Sequence, residues 1–413
     1  MYDLLGGIRV VEAASFVAGP LCGLYLLQLG AEVIRLDPIG GGPDRHRWPL
    51  APTGESLYWQ GLNKGKKSVA IDLSRPEGRE LAAELITAPG PNTGLFVTNY
   101  PPDGFLSHAR LASRRADLIS VRVMGWNDGQ TAVDYTVNAA VGVPYMTGPS
   151  SLGDLPVNHV LPAWDLTTGA YAAFALLAAE RRRRDGGIGQ EVRIPLSDMA
   201  IATLANLGNV AEVLAGEDRP RMGNDLFGAF GRDFATSDGH RLMIVAITSR
   251  QWSGLLAVLG LEAQVGALEM EIGASFKHDE GLRFRHRDRL FPLVEAAVSR
   301  RTASELSSAF DGAGVCWAPY RTLKEAITED GRLCTENPIF STIAHQGSLR
   351  YPTPGAAASF MGAERIGPGG APHLGEHTDE ILANVLGLSS GQIGGLHDKG
   401  IVAGAEVALP RAS

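Results

Sequence analysis

The stretch Ile8–Asp37, IRVVEAASFVAGPLCGLYLLQLGAEVIRLD, decides the fold. Ile8 to Glu12 is a short β-branched run that fits a buried strand. Gly19-Pro20 then opens a helix, because proline at the first helical position has no N–H bond to forfeit. Leu21 to Leu29 is apolar and stops at Gly30, and Glu32 to Asp37 reads as a second strand. A strand, a helix and a strand of this length make a β-α-β unit, hence a parallel sheet with helices on its faces. Outward from it, Ser68–Leu73 and Pro76–Ile86 repeat strand and helix, and Gly94–Thr98 and Leu118–Val123 add strands. The first two hundred residues therefore read as a doubly wound α/β domain.

The texture changes near Gly223. Gly228–Phe234 (GAFGRDF) reads as a glycine-bearing loop, and Asp238-Gly239-His240 as a hairpin turn leading into Leu242–Ala246. Trp252–Gly260 and Leu290–Val298 look helical. The expected organisation is a large domain built from residues 1–215 and 316–413 and a smaller one over 216–315. Gly314–Pro319 would carry the chain back, and Thr378–Leu386 would form a helix near the end.

Bulk properties narrow the function. The 413 residues are 45% hydrophobic and 20% charged, an ordinary balance for a globular protein. The formal net charge of −8 argues against nucleic acid as the main partner. Three cysteines (Cys22, Cys316, Cys334) without paired spacing predict neither a disulfide scaffold nor a metal site. No signal-peptide pattern and no long apolar run is visible, so no membrane association and a cytoplasmic location are expected.

Two stretches carry candidate chemistry. In Asn158–Gly169 (NHVLPAWDLTTG), Asp165 stands where a helix begins; Ala170–Ala179 is its apolar body, Arg181–Arg184 its basic last turn, and two glycines its stop. On local grounds Asp165 is either a cap or a reactive carboxylate. In Asn63–Ser68 (NKGKKS), three lysines and a glycine precede a strand. They form either a solvated turn or a cationic pocket for a phosphate-bearing ligand. A nicotinamide site is disfavoured, because the first strand-to-helix turn, Ser15–Pro20, lacks the GxGxxG glycines; Asp37 alone is weak support. Walker, GxSxG and HExxH motifs are absent as well.

Almost end to end, the chain resembles the family III CoA-transferases. The resemblance rests on RVVEAASFVAGP with LGAEVIRLD, LNKGKKSVAIDL, TNYPPDGFL, VDYTVNAAVGVPYMTG, the segment from WDLTTG to QEVRIPL, RMGNDLFGAFGRDF and APHLGEHTDEIL, in this order. It implies a large Rossmann-like domain with a smaller α/β domain, an interlocked homodimer, and CoA as part of an acyl-CoA substrate rather than a resident cofactor. Asp165 matches the family nucleophile, which attacks an acyl thioester to give a mixed anhydride. Gly228 and Gly231 are candidates for stabilising the oxyanion. Val17, Ala18, Leu62, Asn63, Lys64, Gly65, Asn99 and Tyr100 match CoA-site positions, and Asp134 matches an acidic active-site position.

Val17 and Pro38 stand where formyl-CoA transferases carry Gln and Arg, which argues against formyl and oxalyl substrates. Racemases of the superfamily need a second acid/base group, and Trp126–Tyr135 contains no histidine. DPIGGG from Asp37, RWP at Arg47, VDYTVN and NHVLPAWD look like the branch that moves CoA from C1 to C4 of one mesaconyl group. His159 and Arg232 would then anchor the second carboxylate. The alternatives are transfer to a separate acid and, behind it, racemisation.

Overall fold

The computed structural model describes residues 1–346 and 349–405, so the segment expected to close the large domain is described as far as 405. Two compact units emerge. The first comprises Met1–Val141, His159–Ala211 and the chain from Arg332 onward; the second comprises Gly142–Asn158 and Glu212–Gly331.

The first unit is built on a seven-stranded sheet. Its strands are β1 (Arg9–Ala13), β2 (Glu32–Asp37), β3 (Lys67–Ile71), β4 (Leu95–Thr98), β5 (Ile119–Met124) and β6 (Gln190–Pro195), with β12 (Val402–Ala403) at one edge. The order is β12-β3-β2-β1-β4-β5-β6, parallel except for β12. Side chains alternate between two dry layers, as a sheet covered on both faces requires. Val10, Val33, Leu95, Val97, Ile119 and Val121 pack on one side. Val11, Ile34, Val69, Ile71 and Phe96 pack on the other. The doubly wound Rossmann-like reading is borne out.

Ala163–Gly186 is the longest helix, and it ends on Arg183, Arg184 and the left-handed Gly187, in line with its sequence signals. Its Gly169 lies against the Ala18–Gln28 helix so closely that a Cβ would meet the Ala18 carbonyl oxygen at 2.9 Å. Only glycine permits that approach.

Polar residues interrupt the first layer. Glu12 and Arg35 lie on the same sheet face as Val10 and Val33, yet both are buried. Lys66 Nζ donates to both Glu12 carboxylate oxygens at 2.9 Å, to Pro20 O at 2.8 Å and to Asn63 Oδ1 at 3.0 Å. Arg35 donates to Asp37 at 2.7 Å, to Asn63 at 3.1 Å and to Asp44 at 3.2 Å. Gly23 makes room for this cluster, since a Cβ there would stand 2.0 Å from Glu12 Oε2. Lys66 is therefore no part of a cationic pocket, and Lys67 pairs with Glu32 and Glu380.

The second unit holds an antiparallel sheet of β7 (Phe230–Ala235), β8 (Arg241–Ala246) and β9 (Cys316–Pro319). The hairpin at Asp238–His240 is as expected, with Thr236 N donating to His240 O at 2.9 Å and Gly239 at positive φ. Two readings need correction. Residues from Phe230 onward form a strand rather than a loop, because Phe230 and Phe234 alternate into a core with Trp252 and Phe291. Cys316–Pro319 does not carry the chain back to the first unit; it pairs with β8, Cys316 opposite Val245. Gly142–Asn158 also belongs to this unit, tied by Arg221, which donates to the Thr147 and Leu155 carbonyls.

The buried lysine gives a prediction. Lys66→Met leaves Glu12 with one remaining cation, Arg35, and should cost about 3–5 kcal/mol of unfolding free energy. Denaturant titration reads the loss. Acyl-CoA affinity of the folded protein should stay unchanged, and a stable variant with weakened affinity would restore the phosphate-binding reading of Lys66.

Candidate active site

The strand order reverses between β1 and β4, and a doubly wound sheet opens a ligand crevice at the carboxyl ends of the strands there. Ser15 and Phe16 follow β1, and Asn99 follows β4. Asn99 joins the two sides, donating to Ser15 O at 3.1 Å and accepting from Ser15 N at 3.4 Å. Phe16 sits at φ +70°, a left-handed conformation that costs a non-glycine residue about 1–3 kcal/mol. Asp44 holds it there by accepting from Phe16 N at 3.1 Å, while its carboxylate also binds Arg35.

Over this crevice stand two carboxylates. Asp134 begins the Asp134–Ala140 helix and is buried. Its Oδ2 accepts from the backbone N–H groups of Trp164 at 2.7 Å and Asp165 at 3.1 Å, so it caps the Ala163–Gly186 helix from outside. Its Oδ1 meets His159 Nε2 at 2.6 Å. One turn further on, Asn138 Oδ1 accepts from Trp164 Nε1 at 3.1 Å. Asp165 is thus in the first turn rather than at the cap, which falls at Pro162. Burial, and then the Asp134 charge, push its carboxyl up to about 7, against the opposing pull of Arg47.

Arg47, Tyr58 and Tyr135 complete the surroundings, and the sequence reading had assigned none of them to the site. Tyr58 and Arg47 both act electrostatically with Asp165 or its neighbours. The Tyr135 ring meets His159 edge-on at 5.6 Å, and its hydroxyl donates to Val160 O. Arg47 lies in a loop without periodic pattern; the RWP stretch marks it in the sequence but assigns it no role.

The other expected residues are distributed more widely. Val17 and Ala18 are buried at the start of the first helix. Leu62 is half-buried, and Asn63 is engaged with Arg35, Lys66 and Trp59 O. Lys64 donates to Gly61 O at 2.7 Å, and burial, then Lys66, lower its ammonium to about 8. Gly65 is exposed at φ +77°, and Tyr100 packs on Phe105. Gly228, Gly231 and Arg232 belong to the second unit. There Gly228 has φ +81°, Gly231 lies within β7, and Arg232 donates to Asp225 at 2.6 Å while stacking over Phe291. Among the described residues no helix is long and apolar enough to cross a membrane, and no group of three His, Cys, Asp or Glu is placed to hold a metal.

Fold and site together define a doubly wound enzyme with a half-buried carboxylate at its ligand crevice. The sequence signature of CoA-transferase family III matches residues 5–378, and the chain belongs to that family of acyl-CoA-utilising enzymes. It is 51% identical to the 2-methylfumaryl-CoA isomerase of Chloroflexus aurantiacus, over 98% of this chain and 99% of that one. The succinyl-CoA–D-citramalate CoA-transferase of the same organism is 28% identical over 96% of this chain and 98% of its own. The fold matches a CaiB/BaiF family protein from Brucella suis with a TM-score of 0.74 at 24% identity, covering 93% of this chain and all of that one.

Asp165 carries a stability signature. A carboxyl raised from 3.8 to about 7 opposes folding increasingly as pH rises between those values, and fully above them. Asp165→Asn removes that penalty, so its melting temperature should exceed wild type by more at about pH 8 than at about pH 5. A constant gap across that range, read by calorimetry, would show that the carboxyl is not perturbed.

Proposed function

We propose that this enzyme moves CoA between the C1 and C4 carboxyls of mesaconyl-CoA, with Asp165 as nucleophile. The observation that carries the reading is the 51% identity, over essentially both whole chains, to a 2-methylfumaryl-CoA isomerase. The carboxyls of this skeleton are trans across a double bond, so they cannot close into a cyclic anhydride, and the enzyme must mediate. An Asp165 oxygen attacks the C1 carbonyl, the C–S bond breaks, and the electron pair leaves on the CoA thiolate. The thiolate attacks the aspartyl carbonyl, releasing the C1 carboxylate and leaving an aspartyl thioester. The diacid turns, its C4 carboxylate attacks that thioester, and the thiolate then takes the C4 acyl group from the new anhydride. No proton or electron is consumed.

Asp165 suits this work. A carboxylate with a pKa near 7 is more nucleophilic than an ordinary one and still substantially ionised at neutrality. Val17, Ala18, Leu62–Gly65, Asn99 and Tyr100 would contact CoA; Lys64, with its lowered ammonium, would regain full charge beside a phosphate. His159, held by Asp134, would face a substrate carboxylate. A homodimer and a cytoplasmic location complete the reading. In a closed site the held diacid reacts at high effective concentration and the anhydride is protected from water.

C1-labelled mesaconyl-CoA incubated with excess unlabelled mesaconate tests the route. Label retained in the C4 thioester supports internal transfer; label diluted into the free pool identifies an ordinary two-substrate transferase instead. The kinetics should also titrate. Asp134→Asn removes a like charge, lowers the Asp165 pKa, and should move the acid limb of kcat/KM to lower pH. An acid limb that stays in place would separate Asp165 from the rate.

A further inference from the structure

Internal transfer requires something beyond the nucleophile. Between the two half-reactions the diacid is free, held by no covalent bond, and must remain long enough to present its other end. It carries two negative charges at that moment, in a crevice that already contains Asp134, while Asp165 is tied up as its thioester. A cation without an acidic partner is what such a site needs, and the first unit provides one at Arg47.

Its placement is built rather than accidental. The backbone of Arg47 is fixed, with its carbonyl accepting from the buried Ser56 hydroxyl and its N–H donating to Asp44 O at 3.2 Å. Ser56 in turn caps the Leu57–Asn63 helix, accepting from Trp59 N at 3.0 Å. The guanidinium lies over two aromatic rings, 5.5 Å from the centroid of Phe16 and 5.2 Å from that of Tyr58. Phe16 is the residue held in the left-handed conformation, so the strained turn serves to present that ring. Aromatic faces support an arginine without neutralising it or occupying its N–H donors. Arg47 is exposed and makes no ion pair among the described residues. Of the neighbouring arginines, Arg35 pairs with Asp37 and Asp44 and Arg122 with Glu191, while Arg45 turns inward over the buried Trp59 ring, 5.0 Å from its centroid, with its Nε buried. The charge of Arg47 is felt at Asp165, which sets it on the side where the acyl group is transferred.

We propose that Arg47 grips the substrate carboxylate that is not reacting, and retains the freed diacid while its two ends exchange places. The inference rests on the mesaconyl reading above. In the first half Arg47 holds the C4 carboxylate as C1 leaves CoA. After the turn it holds the C1 carboxylate as C4 takes CoA. A planar fork of donors suits both, because each end presents the same bidentate acceptor geometry. Retention, and not only binding, is thereby assigned to one side chain.

The test compares wild type, Arg47→Lys and Arg47→Gln in the labelled-substrate experiment, with crotonyl-CoA as a neutral probe. Crotonyl-CoA has the CoA moiety but no second carboxylate, and its adduct on Asp165 is followed by mass spectrometry. Arg47→Gln should let the diacid escape, so label in the C4 thioester is diluted toward the free pool. Its KM for mesaconyl-CoA should rise roughly tenfold or more, as loss of a charge-assisted contact predicts. Adduct formation from crotonyl-CoA, followed at about pH 9 so that Asp165 is ionised with or without Arg47, should fall far less than that, and Arg47→Lys should retain label to an intermediate degree. Full retention in Arg47→Gln overturns the proposal while leaving internal transfer standing. An equal loss with crotonyl-CoA overturns it in favour of a role in holding CoA or the fold. Dilution of label by the wild type itself overturns the mesaconyl reading and this inference together.

Discussion

The cluster of Glu12, Lys66, Arg35 and Asp44 is the constraint on which the crevice depends. Two cations and several acids are buried beneath the first helix, and an ion group desolvated this completely holds only when each charge is paired. Its geometry reaches the surface through one residue. Asp44 binds Arg35 with its carboxylate and takes the N–H of Phe16, fixing the strained turn after β1. On that turn rests the ring that carries Arg47. The same cluster engages Asn63 at the end of the next helix, which orients the lysine-glycine turn that follows. A dry ion network of this kind contributes little to net stability relative to an apolar core, so its value here is positional.

This arrangement explains both what the sequence disclosed and what it concealed. The β-α-β unit was legible because Ile8–Glu12 and Glu32–Asp37 are β-branched runs separated by a helix with recognisable start and stop signals. The long helix was legible for the same reason, through its arginines and Gly187. Local pattern failed where a distant partner decided the outcome. Lys66 reads as a surface charge, but Glu12, 54 residues earlier, draws it inside. Gly228–Phe234 reads as a loop because of its glycines, yet β8 and the aromatic core turn its second half into a strand. Cys316–Pro319 resembled a connection because nothing local reveals that β8 lacks a neighbour on that side.

The candidate site followed the same division. Asp165 was found from its context, whereas the roles of its surroundings were not. That Asp134 would serve the helix of Asp165 could not be read from two acids 31 residues apart. Arg47 was likewise hidden in a loop held together by hydrogen bonds to Asp44 O and from Ser56.

The relation between the two acids has a further consequence. A carboxylate in the first turn of a helix is ordinarily stabilised by the free N–H groups and the positive end of the dipole, which lowers its pKa and makes it a weaker nucleophile. Here the N–H groups of Trp164 and Asp165 are already taken by Asp134. Asp134 therefore satisfies the helix end and at the same time places a like charge beside Asp165. Burial is the largest cause of the raised carboxyl, and both effects of Asp134 act in the same direction, withholding stabilisation from the Asp165 carboxylate. Arg47 works the other way, and its pull keeps part of the Asp165 carboxyl ionised at neutrality.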